Sequence, residues 1–161
     1  MNETRKPVLT GGCQCGAVRY ALYRTPANPH ICHCRMCQKA VGGPFAAYAA
    51  IMERDFAWTR GEPASFESST IVTRGFCRDC GTPLLFRFAG DRWLGFTLAS
   101  LDDPEQVVPT QAVGLESRLS WFEGLHDLPH SRADEELTPE RAAAMASHQH
   151  PDHDTDTWLL R

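Results

Sequence analysis

The cysteines of this chain are the residues best suited to chemistry, because all seven fall into three tight clusters. The clusters are Cys13-x-Cys15, Cys32-x-Cys34-x-x-Cys37 and Cys77-x-x-Cys80. Cysteines separated by one or two residues can direct their thiolates at one metal ion, with each zinc–sulfur bond about 2.3 Å long. Four thiolates close a tetrahedral zinc site, whereas three thiolates leave one position open for a reaction. The count therefore predicts one closed structural site and one open reactive site.

The turn at Cys77 and Cys80 is the most specific of the three motifs. Gly81 follows it directly, and glycine permits the positive φ that such a turn often needs. This pair supplies only half of a closed site, so a second pair must come from elsewhere in the sequence. The candidates are Cys13 with Cys15 and Cys34 with Cys37. Spacing alone does not choose between them, although Cys37 and Cys77 are further apart in sequence than the pairs of a compact zinc ribbon.

Each cluster also allows an interpretation without metal. The first and last clusters could be a reduced set of structural thiols. The middle cluster could hold empty thiols, or two of its cysteines could be oxidised to a disulfide. Three functional classes therefore stay open: an enzyme of carbon–sulfur chemistry, a zinc-stabilised protein-binding module, and a cysteine redox sensor.

Composition and charge restrict the partners. The chain has 161 residues, a hydrophobic fraction of 42% and a formal net charge of −4, which together predict one globular domain. An acidic balance argues against nucleic acid as a partner. The N-terminal stretch MNETRKPVLTGG has no apolar signal region, and residues 40–52 are too short to span a bilayer, so we expect no membrane association. We expect a cytoplasmic protein, in which thiols stay reduced and clustered cysteines favour metal or redox chemistry.

Short strands separated by glycine and proline must position the clusters. The pattern predicts strands at 17–23, 45–51, 56–59 and 70–76, and a hairpin of 83–88 with 92–99. Residues 25–29 contain two prolines and predict a turn. Residues 35–40 predict one helical turn, which Gly42-Gly43-Pro44 stops. These elements together predict a mainly β fold.

The C-terminal residues have a different character. Thr138-Pro139-Glu140 is typical of a helix start, and the alanine-rich residues 141–147 could complete two turns. Residues 148–156 are polar and predict a mobile tail that can be deleted beyond His148 without loss of stability. If the tail docks instead, Trp158, Leu159 and Leu160 are its expected anchors. We therefore divide the chain into a β domain at 1–131 and a short helix with a polar tail at 132–161.

Five segments of the chain resemble the glutathione-dependent formaldehyde-activating family, which includes the vertebrate centromere protein V. In order, the segments are GGCQCGAVRY, CHCRMCQKAVGGPF, FESST, TRGFCRDCGTPLLFRF and LASLDDPEQVVP. The resemblance spans about residues 11–122. It implies tent-like, coiled β-sheets around a structural zinc site held by Cys13, Cys15, Cys77 and Cys80. It also implies that Cys32, Cys34 and Cys37 hold a second, labile and catalytic zinc ion.

The activity that the resemblance implies is that of a carbon–sulfur lyase, similar to S-(hydroxymethyl)glutathione synthase. Such an enzyme joins glutathione to formaldehyde or catalyses the reverse reaction. The family often carries a histidine where this chain reads Thr110-Gln111-Ala112-Val113, and the tail from about Ser131 has no counterpart.

The physical chemistry of a three-thiolate zinc site limits the mechanism. Zinc with three thiolates has a formal charge of −1 and is a weaker Lewis acid than zinc with three histidines. It is therefore better suited to hold a fourth thiolate, from a small thiol such as glutathione, for addition to a small aldehyde. Arg35, Lys39 and Arg74 are candidate partners for the carboxylates of the thiol.

The remaining histidines and aromatic residues have simpler expected roles. We expect His33 to point outward, and His148, His150 and His153 to be solvated in the tail. Trp58, Trp93, Trp121, Phe76 and Phe86 are expected in the core. Phe45 and Tyr48 could line a pocket, although core packing is their simpler role.

Overall fold

The computed structural model describes residues 5–158, and ten strands form two sheets within that range. The strands are β1 Leu9–Gly12, β2 Arg19–Leu22, β3 Ala27–Cys32, β4 Ala46–Met52, β5 Phe56–Arg60, β6 Ala64–Ser69, β7 Val72–Phe76, β8 Pro83–Phe88, β9 Trp93–Thr97 and β10 Gln111–Val113. The α-helices are α1 Arg35–Val41, α2 Ala133–Glu136 and α3 Pro139–Ala144. Short 3-10 helices span Glu53–Asp55, Leu98–Ser100, Pro104–Gln106, Leu115–Ser117 and Ser120–Asp127. The prediction of a mainly β fold with a short C-terminal helix is confirmed.

The larger sheet has the strand order β10-β3-β4-β9-β8-β7-β6, and the smaller sheet has the order β1-β2-β5. Neighbouring strands pair antiparallel except β10 and β3, which pair parallel. One hydrophobic core joins the two sheets, with Tyr20 of the smaller sheet and Phe96 of the larger sheet fully buried. The Tyr20 ring lies 5.2 Å from the Phe56 ring and 6.1 Å from the Phe96 ring. The core therefore fixes both sheets, and with them the cysteine turns at the strand ends.

Several predicted elements are confirmed. The predicted hairpin is formed by β8 and β9, with Leu85 opposite Phe96. α1 ends at Val41, and its C-cap is Gly42, whose φ of +67° lies in the left-handed region. α3 starts as predicted, because the Thr138 side chain accepts a hydrogen bond from the Arg141 backbone N–H.

The predicted turn at residues 25–29 is wrong in its second half, because β3 begins at Ala27. The pairing of β3 with β4 is irregular between Ala27 and His30, and Asn28 has a φ of +51°. An irregularity of this kind lets Pro29, which has no N–H to donate, lie inside a strand. The two prolines indicated a turn, so the sequence did not predict β3, the strand that ends at Cys32 in the middle cysteine cluster.

Two of the predicted core residues lie at the surface. Trp93 is 41% exposed at the start of β9, and Trp121 is 54% exposed in the 3-10 helix at 120–127. Trp58 and Phe86 are partly buried against hydrophobic clusters, in agreement with the prediction. Between residues 5 and 158, no helix is both long enough and apolar enough to cross a membrane.

The prediction of a mobile, solvated tail is wrong at its centre. His148 and His153 are exposed, but His150 is 3% exposed and packs against the β domain. Trp158 docks beside it, as expected for an anchor, whereas Leu159 and Leu160 lie outside the described residues. The proposed division at residue 131 stays a prediction.

Candidate metal centres and the adjoining cavity

The first and last cysteine clusters come together at one site. Cys13 and Cys15 follow β1, while Cys77 and Cys80 connect β7 to β8. The four sulfurs lie within 4.8 Å of one another, with Cys13 and Cys15 3.6 Å apart and Cys15 and Cys77 3.8 Å apart. Of the two pairs that the spacing left open, the structure brings the Cys13/Cys15 pair to the Cys77/Cys80 pair. We call this group the closed cluster.

Two similar turns build the closed cluster. Gly16 has a φ of +74° and donates its N–H to the Cys13 carbonyl at 3.0 Å. Gly81 has a φ of +78° and donates its N–H to the Cys77 carbonyl at 2.9 Å. A side chain at either position would be strained, because residues other than glycine rarely adopt this conformation. The prediction of a positive φ at Gly81 is confirmed.

The pKa values of the thiols in the closed cluster are consistent with a site for a soft divalent cation. Burial raises the pKa of the Cys13 and Cys15 thiols. Burial also acts on Cys80, but hydrogen bonds from the Thr82 hydroxyl and backbone N–H outweigh it and lower the pKa of Cys80 to about 6. Cys13 and Cys15 keep their protons because a negative charge is costly where water is excluded, whereas Cys80 ionises most readily. A metal ion removes that penalty and releases the protons, so the donor set fits zinc.

The C-terminal tail covers the closed cluster. The backbone N–H of His150 donates to the Gln14 carbonyl at 2.7 Å, and the His150 ring packs on Gly16, where a Cβ would lie 2.3 Å from it. The Trp158 indole N–H donates to the Cys15 carbonyl at 2.5 Å. The two rings contact each other, with centroids 4.7 Å apart. The tail therefore holds the backbone of the first cysteine turn from outside.

The middle cluster lies where β3 passes directly into α1. Cys32 ends β3, Cys34 is the N-cap of α1, and Cys37 lies in its first turn. The Cys34 sulfur accepts the Cys37 backbone N–H at 3.4 Å, which caps the helix and draws the sulfurs together. The three sulfurs lie within 4.8 Å of one another. Cys32 and Cys37 are buried and Cys34 is half-buried, so solvent reaches this group at Cys34. We call the three cysteines the open cluster.

Arg74 places a buried positive charge against the open cluster. Its guanidinium donates to the Cys37 sulfur at 3.3 Å, to the Tyr48 hydroxyl at 2.9 Å and to Ser68 Oγ at 2.9 Å. Burial raises the pKa of Cys34, but hydrogen bonds from Cys37 and the charge of Arg74 outweigh it and lower the pKa overall. The sequence suggested Arg74 as a carboxylate partner, whereas its three contacts here are to protein groups.

Phe86 supports the Arg74–Tyr48 pair. Its ring lies edge-on to the Tyr48 ring at 4.8 Å, and the Arg74 guanidinium lies 5.7 Å from the Phe86 ring centre. An aromatic face next to a guanidinium is favourable because the ring quadrupole attracts the cation. Tyr48 therefore serves both as packing and as a wall of the cavity described below.

Gln38 is a positioning residue that the sequence analysis missed. Its side-chain amide donates to the His33 carbonyl at 2.7 Å and to the Ser117 carbonyl at 3.0 Å. The backbone N–H of His33 donates to the Val113 carbonyl at 2.9 Å, next to the parallel pairing of β10 with β3. Residues 110–113, the stretch that departs from the family pattern, therefore run along the outer side of the open cluster. The only signal for Gln38 in sequence was its place one turn after Cys34.

His33 does not point outward, so that prediction is wrong. The residue is 1% exposed, and its ring lies 4.6 Å from the Phe122 ring and 5.9 Å from the Phe45 ring. The 3-10 helix at 120–127 carries Phe122 and covers this face of the cysteine turn. Neither ring nitrogen has a hydrogen-bond partner among residues 5–158.

Two cavities adjoin α1. The first, of about 350 Å³, is lined by Tyr48, Arg74, Phe66, Phe76, Pro83 and Leu85, among others. The second, of about 390 Å³, is lined by Arg35, Met36, Lys39, Ala40, Phe66 and Ser68. Ala40 and Phe66 line both, so the two cavities are neighbours on either side of these residues. We call them the inner cavity and the outer groove.

Comparison with known proteins identifies the family of the chain. A family model for the glutathione-dependent formaldehyde-activating enzyme matches residues 8–117, and the chain belongs to this family. A Schizosaccharomyces pombe protein described as an uncharacterized lyase is 26% identical over 86 residues, which are 53% of this chain and 62% of that protein. A crystal structure of a Rhodobacter sphaeroides protein is similar in fold, with a TM-score of 0.52 and 24% identity over 65% of this chain and 99% of that chain. All three cysteine clusters lie within the family match, and the docked tail lies beyond it.

Proposed function

We propose that this chain is a zinc-dependent enzyme of the carbon–sulfur lyase type. It joins a small thiol, glutathione in the first instance, to a small aldehyde such as formaldehyde, or catalyses the reverse reaction. The observation that carries the proposal is the open cluster, which gathers three sulfurs on one turn and leaves one side accessible. Family membership supports the substrates, and the description of the yeast relative as a lyase supports the reaction type.

The open cluster would hold the reactive zinc ion through Cys32, Cys34 and Cys37. When bound, zinc supplies a position at which a fourth thiol is held deprotonated. The protein contributes the Arg74 charge, which offsets the negative charge of the thiolates. The turn of α1 and its Cys34 cap keep the three sulfurs on one side, so the accessible side faces the incoming thiol.

The reaction is an addition that balances without an oxidant. The thiol loses its S–H proton to solvent, and the sulfur lone pair forms a C–S bond to the carbonyl carbon. The C=O π electrons move to the oxygen, which takes a proton from solvent to give a hydroxyalkyl thioether. Holding sulfur and carbonyl together is the main contribution that the protein makes.

The outer groove suits the anionic part of the thiol. Arg35 and Lys39 lie on the exposed face of α1, one helical turn apart, and both line this groove. Glutathione carries two carboxylates, so these two cations are the proposed partners. Both are exposed, so their attraction is screened by salt, and affinity for glutathione falls as ionic strength rises.

The closed cluster is proposed as the structural zinc site. Cys13, Cys15, Cys77 and Cys80 join two chain segments far apart in sequence, so metal held there stabilises the fold directly. A reducing compartment such as the cytoplasm, which keeps thiols available for metal, suits both sites.

The test of the proposed function is the Cys34→Ser variant. It removes one ligand from the open cluster, so we expect a folded protein that retains one of two zinc ions. It should lose glutathione binding and any acceleration of the glutathione–formaldehyde equilibrium. Zinc per chain, calorimetric titration with glutathione and exchange NMR measure the three quantities.

The alternatives predict different results. If Cys34→Ser binds glutathione as well as the parent protein does, the open cluster is not the site, and the binding-module interpretation is favoured. A redox sensor predicts instead a reversible disulfide among Cys32, Cys34 and Cys37. Mass spectrometry after thiol labelling distinguishes that outcome.

A further inference from the structure

The inner cavity is larger than formaldehyde requires. Its volume is about 350 Å³, whereas one water molecule in the liquid takes up roughly 30 Å³ and formaldehyde has only two heavy atoms. Volumes of a few hundred Å³ are typical of pockets that bind organic molecules of several carbons. The outer groove already offers space and cations for the thiol, so the inner cavity remains for the other reactant.

The wall of the inner cavity is chemically divided. Phe66, Phe76, Pro83 and Leu85 make most of it apolar. Its buried polar residues are Tyr48, Arg74 and Thr97, and the Thr97 hydroxyl already donates to the Pro83 carbonyl at 2.8 Å. Tyr48 is 2% exposed and Arg74 is 6% exposed, so neither hydrogen-bonding group is shared with bulk solvent. An apolar chamber with a few oriented polar groups is the usual form of a small-molecule site.

The polar part of the wall lies next to the open cluster. The Arg74 guanidinium touches the Cys37 sulfur at 3.3 Å and the Tyr48 hydroxyl at 2.9 Å. Tyr48 also interacts with the Cys37 thiol, so both polar groups of the cavity wall are in contact with the open cluster. The Tyr48 oxygen accepts from Arg74, so its own O–H hydrogen would turn from the Cys37 thiol to a bound carbonyl oxygen.

We propose that the inner cavity is the aldehyde subsite and that it takes aldehydes with an apolar substituent, larger than formaldehyde. Tyr48 and Arg74 hydrogen-bond the carbonyl oxygen, and the wall around Leu85 receives the hydrocarbon chain. This inference rests on the proposed function.

The role of Tyr48 is to stabilise charge on the aldehyde oxygen. As the thiolate sulfur forms the C–S bond, the C=O π pair becomes a negative charge on that oxygen. A buried donor aimed at such an oxygen is worth more than one in water, because it needs no reorganisation during the reaction. The thiol proton leaves to solvent and the oxygen is protonated from solvent, so Tyr48 keeps its own proton throughout.

The first test compares straight-chain aldehydes on the zinc-loaded enzyme with glutathione. Acetaldehyde, propanal, butanal and hexanal have similar intrinsic reactivity, so differences among them report binding in the cavity. Each buried CH₂ should raise kcat/KM about fourfold until the cavity is full. Exchange NMR of the hydroxyalkyl thioethers measures the rates.

The second test changes the wall. Leu85→Phe fills the cavity. In this variant kcat/KM should no longer rise along the series, so that the value for hexanal is no higher than the value for acetaldehyde. Ala40→Leu, on α1, narrows the cavity as well and serves if Leu85→Phe does not fold. Because Ala40 also lines the outer groove, the KM for glutathione is measured beside the series to detect an effect on the thiol. Val108→Phe is the matched control, because Val108 is 67% exposed and outside both cavities; it should leave the series unchanged.

The third test is Tyr48→Phe, which removes one hydroxyl and keeps the ring. We expect kcat to fall about 10²-fold to 10³-fold with every aldehyde, the cost of losing one such donor. Zinc content and the KM for glutathione should stay as in the parent protein, which a merely structural defect would not allow.

The outcomes separate the two proposals. If formaldehyde reacts but the aldehyde series is flat, or if Leu85→Phe and Ala40→Leu leave a rising series intact, the aldehyde subsite is wrong and the proposed function stands. Unchanged kcat in Tyr48→Phe also overturns the role of Tyr48. If no aldehyde reacts and glutathione does not bind, the proposed function fails and this inference fails with it.

Discussion

Arg74 connects the two halves of the proposed reaction site. It lines the inner cavity and donates to the Cys37 sulfur at 3.3 Å, so one side chain touches both the proposed aldehyde subsite and the open cluster. Its charge is buried, and a buried charge needs compensating partners. In the proposed zinc-bound state the three thiolates would provide that compensation, so the charge of Arg74 and the charge of the open cluster would depend on each other.

We therefore predict that Arg74→Gln weakens zinc binding at the open cluster about 10-fold to 100-fold, the usual effect of losing a partner of a metal ligand. Arg74→Lys should lose less zinc affinity, because it retains the positive charge. It should still bind zinc more weakly than the parent protein, because a lysine cannot reach three acceptors in one plane. Competition with a chelator measures the affinity, and the zinc ion of the closed cluster should remain in both variants.

Arg87→Gln is the matched control for this prediction. Arg87 lies on the neighbouring strand β8 and pairs with the exposed Glu53 at 2.7 Å, away from the cysteines. The Arg87→Gln variant should bind zinc at the open cluster as tightly as the parent protein does. An equally unchanged affinity in Arg74→Gln would show that the guanidinium does not stabilise the cluster.

At the residue scale, spacing revealed the ligands but not their surroundings. The sulfurs of Cys32, Cys34 and Cys37 are close in space because they are close in sequence. The contact between Arg74 and Cys37 depends on β7 lying across from α1, which is a property of the tertiary fold. His33 was misassigned for the same reason, since Phe122 is distant in sequence and encloses it only after folding.

At the element scale, the tail is the feature that sequence periodicity could not predict. Polar residues such as Asp154 and Thr155 are typical of solvated segments, yet here they pair with buried or half-buried arginines. Arg19 donates to the Asp154 carboxylate at 2.7 Å, and Arg60 donates to the Thr155 hydroxyl at 3.0 Å. A composition-based prediction cannot detect such pairing, because the partners lie on β2 and β5.

The docked tail should therefore contribute to stability, contrary to the expectation from the sequence. Trp158→Ala removes the indole that holds the Cys15 carbonyl and should cost about 1–2 kcal/mol, less than a fully buried Trp, because Trp158 is half-buried. The thermal midpoint should fall by about 3–6 °C, and zinc should leave the closed cluster faster. Deleting residues 149–161 should have a larger effect of the same kind.

Met145→Ala is a suitable control for the tail variants. Met145 is 67% exposed just after α3, so its loss should change neither the midpoint nor the rate of zinc release. If the truncated chain also keeps its midpoint and its zinc, docking adds no stability and the tail is dispensable after all.

At the scale of the whole molecule, one ionic network ties the smaller sheet to the C-terminal tail. Arg19 of β2 is 3% exposed and makes two hydrogen bonds to Asp102, at 2.7 and 2.6 Å, besides its contact with Asp154. Asp102 is also close to Thr10 of β1, which donates to it at 2.5 Å. The network thus joins β1, β2, the residues after β9 and the tail around the closed cluster.

The charge of Asp102 makes the stability of this network depend on pH. Burial raises the pKa of its carboxyl, but the hydrogen bonds from Arg19 and Thr10 outweigh that effect and lower the pKa overall. A carboxyl whose folded pKa is lowered stabilises the protein at any pH above its unfolded pKa of about 4. That contribution is lost as pH falls through the lowered folded pKa, because the protonated form no longer pairs with Arg19.

We therefore predict that Asp102→Asn lowers the free energy of unfolding by about 2 kcal/mol at pH 7, because among residues 5–158 it leaves the buried Arg19 with Asp154 as its remaining charged partner. The difference from the parent protein should stay constant down to about pH 5 and shrink below about pH 4. Urea unfolding at a series of pH values measures this difference in the free energy of unfolding. Both proteins share the effect of acid on zinc binding, so that effect cancels when one free energy is subtracted from the other. Asp103→Asn, at the exposed neighbouring position, should show almost no difference at any pH. A difference that is as large at pH 3 as at pH 7 would mean that Asp102 acts through its shape and not through its charge.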